Sequence, residues 1–108
     1  MKNAATITGV HEIEADELVH LIEIEVDGDV ESFDFSDITQ ETPDQPKENW
    51  QCAYDDREID SPTSKRRFAF FFHYLDFRLP LLTSFGEVAI PDPSPLPERL
   101  ADIEYDQP

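Results

Sequence analysis

The chain has 108 residues, 25 of them Asp or Glu against 8 Lys or Arg, for a formal charge of −17. That length fits one domain over 1–108, and that charge denies the chain the basic footprint that nucleic-acid phosphates or anionic membranes require. An apolar fraction of 39%, with eight Phe, three Tyr and Trp50, still provides for a core and separates the chain from disordered acidic sequences.

Cys52 stands alone, so an internal disulfide is impossible and a reducing, cytoplasmic setting is expected. Met1–Val10 has no apolar run of secretory length, and no stretch approaches the roughly 18 apolar residues of a membrane span. The acids are unevenly placed: no basic residue falls between Lys2 and Lys47, whereas Lys47, Arg57, Lys65, Arg66, Arg67, Arg78 and Arg99 all lie in the second part.

Thr6–Glu14 predicts a short strand interrupted at Gly9. Leu18–Val26 predicts a clearer one, because Ile22, Ile24 and Val26 alternate with Glu23 and Glu25 at the period of a strand with one wet face. Asp27-Gly28 follows as a hairpin turn signal. Val30–Ser36 is then expected to return as a strand, with Phe33 and Phe35 inward and Asp34 outward. Residues 39–64 carry Pro43, Pro46, Pro62 and many acids and amides, with the island Trp50–Tyr54 expected to anchor them; Ser61–Ser64 is an exposed turn.

Arg67–Leu75 predicts a strand covered on both faces, with Phe68, Phe70, Phe72 and Tyr74 on one and Ala69, Phe71, His73 and Leu75 on the other. Phe77–Pro80 connects, Thr83–Gly86 turns, and Glu87–Ile90 forms a last strand. Pro91, Pro93, Pro95 and Pro97 impose an extended segment over 91–97, after which Leu96, Leu100 and Ile103 stand at the spacing of a short helical turn. The expected fold is mainly β: a small antiparallel sheet, rolled or sandwich-like, ending in that turn.

Glu12, Glu14, Glu23, Glu25 and Asp34 are expected on one wet face, as a ladder of like charges for a basic partner. Directly opposed acids on neighbouring strands repel, so such a face would be strained, carboxylate pKa values would rise, and the arrangement calls for a reason. A plain solvated face, with register keeping the acids apart, is the competing explanation.

His73 near Asp76 has the residue types of a general base and its orienter, but positions three apart on a strand point to opposite faces, which favours a structural His. His11, Glu12, Glu14, His20 and Glu23 lack the spacing of a zinc site. Asp56, Glu58 and Asp60 lack the Gly and terminal Glu of a calcium loop. Asp55 and Asp56 would raise the pKa of Cys52 rather than activate it. Gly9, Gly28 and Gly86 are isolated, so no phosphate loop exists and no cofactor is expected.

The function these features favour is a non-enzymatic protein-interaction module (an inhibitor, phosphate mimic or assembly factor) meeting a basic protein surface. A small hydrolase using His73 with Asp55, Asp56 or Asp76 is the alternative, and general acidity from adaptation to high salt is a third.

Overall fold

The computed structural model describes residues 3–13, 19–35, 38–40 and 57–103. Its frame is a five-stranded sheet in the order β3-β4-β2-β1-β7. Here β1 is Ala4–Glu12, β2 Val19–Asp27, β3 Arg57–Ile59, β4 Arg66–His73 and β7 Ser94–Pro95. All neighbours are antiparallel except β7, which joins β1 in parallel through His11↔Ser94 and Glu12↔Pro95. A separate hairpin pairs β5 (Leu81–Thr83) with β6 (Gly86–Val88). The mainly β expectation holds, and the C-terminal helical turn is a single 3-10 turn at Glu98–Leu100.

Alternation explains how one sheet carries two apolar layers. Ile22, Ile24 and Val26 of β2 and Phe68, Phe70 and Phe72 of β4 share one face, with Ile7 and Val10 of β1 and with Leu81 and Val88 of the small hairpin. Phe70 and Ile22 are entirely buried and directly paired across strands. Burying such a side chain contributes roughly 1.5–3 kcal/mol relative to exposure. The opposite face gathers Val19, Leu21, Ala69 and Phe71 under Leu100, with Leu96 and Ile103 of the C-terminal segment packed alongside. The expected two-sided burial of β4 is therefore observed, and two adjacent strands are covered this way.

Three expectations need correction. The return strand expected over 30–36 does not appear in its described residues 30–35; Val30–Ser32 is a 3-10 turn. The Asp29 carboxylate accepts from the Glu31 amide at 3.0 Å and the Ser32 hydroxyl donates to the Asp29 carbonyl at 2.8 Å. These local bonds satisfy the backbone in place of a ladder. The hairpin partner of β2 is instead the preceding strand, β1. Phe33 and Phe35 still turn inward, edge-on to each other and to Phe85 and Phe68 respectively.

Tyr74, expected on the aromatic face, is half exposed with φ at +60°, because the chain leaves β4 there through the left-handed region. The third correction concerns the supposedly wet face of β2, which is roofed by the C-terminal segment. The Trp50–Tyr54 island lies outside the described residues.

Gly28 sits at φ +129°, and a Cβ there would run into Asn3, so the turn after β2 requires glycine twice over.

Candidate functional site

The acids singled out from the sequence separate into different environments. Glu23 projects from the middle of β2 onto the roofed face and is 1% exposed. An isolated carboxylate there would be costly, so its partners decide whether the fold tolerates it. Two guanidinium nitrogens of Arg99, on the C-terminal 3-10 turn, donate to its two oxygens at 2.7 and 3.0 Å. His11 Nε2 lies 2.6 Å from Oε1, and Arg67 Nη1 stands 3.8 Å from Oε2. A carboxylate only accepts, so Nε2 carries the proton; in the neutral ring Nδ1 is left to accept from the Ser94 hydroxyl, 3.1 Å away.

Gly9 makes this geometry possible. The β1–β2 register shifts between Ile7 and Gly9, and a Cβ at Gly9 would lie 2.8 Å from His11 Nε2 and 3.1 Å from Glu23 Oε1. The residue that interrupts the strand pattern is thus the space into which the His–Glu pair fits.

Glu25 is the next residue on the same face. It faces Arg67 directly across the strands, accepts from Arg67 Nη2 at 2.8 Å, and has Lys65 at 3.9 Å. Glu12 and Asp34 are exposed, Asp34 on the loop after the 3-10 turn with its amide donating to Ser84 Oγ at 2.9 Å. Glu14 lies outside the described residues. Glu23 and Glu25 therefore share a face, while Asp34 stands apart from them on that loop. Among the described residues, Glu23 and Glu25 do not stand as a bare like-charge pair, because Arg99 and Arg67 sit against them.

The electrostatics follow. Burial pushes the Glu23 pKa up, but hydrogen bonds from Arg99 and His11 outweigh it and hold the carboxyl below its usual range. Asp76 is drawn down to about 2 by the Arg78 guanidinium and backbone amide. Arg66 likewise holds Glu58 low. Of these, only Glu23 belongs to the crowded acids expected to rise, and its shift runs the other way. His20, on the other face of β2 and edge-on to Phe77, has its pKa lowered by burial, with the Glu12 charge opposing.

Glu23, His11 and Ser94 have the order of a carboxylate–imidazole–hydroxyl relay. Two features argue for fastening rather than catalysis. Arg99 already engages both Glu23 oxygens, and Ser94 is followed by Pro95, which has no N–H to stabilise an oxyanion beside it. Of the carboxylates named with His73, Asp76 is held by Arg78, and Asp55 and Asp56 lie outside the described residues.

What sequence reasoning missed is Arg99, with His11 and Ser94 as its accomplices. Comparison with protein-family models, curated proteins and solved structures returned no match.

Proposed function

We propose that the chain is a non-enzymatic interaction module that meets a basic protein partner through exposed acids at its surface, not through the covered face of β2. The observation that supports this is the distribution of countercharge. Lys65, Arg66, Arg67, Arg78 and Arg99 each approach a carboxylate of the same chain within 4.0 Å. With those cations engaged internally and a formal charge of −17, the chain's field is strongly negative. Asp29, Glu31 and Asp34 are all exposed around the turn that follows β2. A field of that sign steers a basic partner into encounter and repels acidic ones.

The test starts from a partner captured from source-cell lysate at low and high salt. Association rates are then compared for the wild type and for Asp29→Asn/Glu31→Gln/Asp34→Asn. Asn keeps the acceptor that caps the Glu31 amide, so the fold is retained. The reading expects association slowed about tenfold at low salt and a flatter salt dependence. An unchanged rate at low salt would leave these acids as a solvated surface, as adaptation to high salt would produce.

A further inference from the structure

Between the edge strand β3 and the C-terminal 3-10 turn lies a cleft of about 260 Å³. Its apolar wall is Ile59, Leu100 and Ile103, which belong to the cluster on the roofed face of the sheet. Its rim carries Glu58, Asp60 and Asp102, all exposed. Arg99 also borders it, but that guanidinium is turned onto Glu23 by two hydrogen bonds, and Glu58 is matched by Arg66. Among the described residues neither Asp60 nor Asp102 has a cation within ion-pair distance, so the charge of the rim that lacks a counterpart is negative.

The volume falls below the roughly 300–1,000 Å³ of pockets that enclose drug-sized ligands, and suits a single side chain. A wall of aliphatic carbon under a carboxylate rim matches a flexible hydrocarbon stem with a cationic tip. We infer that this cleft receives one lysine or arginine side chain of the basic partner, its stem on Ile59, Leu100 and Ile103 and its charge between Asp60 and Asp102. The inference rests on the interaction-module reading and adds an anchor point to it.

The probe is acetyl-tetralysine amide, titrated into the full ¹⁵N-labelled chain at low salt and followed by amide shifts. The expected result is shifts centred on Ile59, Asp60, Leu100 and Ile103, with affinity reduced about fivefold or more by Asp60→Asn/Asp102→Asn. The same peptide acetylated on every Nζ should bind much more weakly. Shifts centred on residues 27–34, an unchanged affinity in the double variant, or equal binding of the acetylated peptide would each overturn the assignment. So would equally tight binding of spermidine, which would make the cleft a polyamine site. The two proposals fail separately. The turn variant tests the interaction reading through partner association rates, whereas it should leave the peptide's shifts at the cleft in place.

Discussion

Replacing Gly9 by alanine tests the geometry around Glu23 with a single methyl group. The new carbon would lie 2.8 Å from His11 Nε2, 3.0 Å from His11 Cε1 and 3.1 Å from Glu23 Oε1. All three are inside ordinary van der Waals distance, and His11 and Glu23 are both buried, so neither can swing into solvent without opening the face. Overpacking of this kind costs typically 1–3 kcal/mol, and loosening a hydrogen bond to a buried carboxylate adds to it. Against this, alanine restricts the unfolded chain and returns roughly 0.4–1 kcal/mol where the backbone accepts it. The net expectation is a loss of about 2 kcal/mol in urea-unfolding free energy at pH 7. In a His11→Ala background two of the three close contacts vanish, and Gly9→Ala should then cost less than about 0.5 kcal/mol. A neutral Gly9→Ala in the wild type, or an equal cost in both backgrounds, would refute the reasoning.

Phe70→Ala removes a fully buried ring between the strands of the main core and should cost roughly 3–5 kcal/mol in the same assay; a loss below about 1 kcal/mol would displace β4 from the core. Acid titration has a sign fixed by the shifts. The folded pKa of His20 lies below its ordinary 6.5, so the unfolded chain takes up the proton first and stability falls as pH drops through that value. The stability of wild type relative to His20→Gln should therefore fall from pH 7.5 to 5.5, and a constant difference would contradict it. At lower pH, Asp76 contributes stability that is fully present above 3.8 and is lost as pH falls towards about 2. Asp76→Asn should remove that part of the acid-unfolding profile, and an unaltered profile would count against the Arg78 pairing.

Strand periodicity was legible where a strand is its own evidence. The Phe68–Phe72 alternation located β4 and its two covered faces, and Ile22, Ile24 and Val26 located the inner side of β2. The mistake about Glu23 has a physical source. Period-two patterning assigns a residue to a face but is silent on what covers that face. The cover here is supplied by Arg99, 76 residues away, and by Leu96, Leu100 and Ile103, whose spacing was noticed only as a local turn. A signal was present: Val19 and Leu21 precede Glu23 at alternate positions, so an apolar face was running into an acid. Residues 30–36 misled for a different reason. Their alternation is genuine, with Phe33 buried and Asp34 exposed, but Asp29 and Ser32 secure the backbone locally before any ladder forms.

Glu23 fastens the C-terminal segment to the sheet through Arg99, so this acid serves the fold. The direct measurement is a double-mutant cycle of Glu23→Gln and Arg99→Gln by urea unfolding, with amide exchange read at Leu100 and Ile103. Glu23 is 1% exposed while the Arg99 side chain is 54% exposed, so the released guanidinium can regain water but the buried acceptor site cannot. The account predicts a coupling energy of about 1.5–3 kcal/mol, the range of hydrogen bonds to charged groups, with faster exchange at both amides in either single variant. A coupling below about 0.5 kcal/mol, as exposed ion pairs often give, with exchange at Leu100 and Ile103 unchanged, would contradict it.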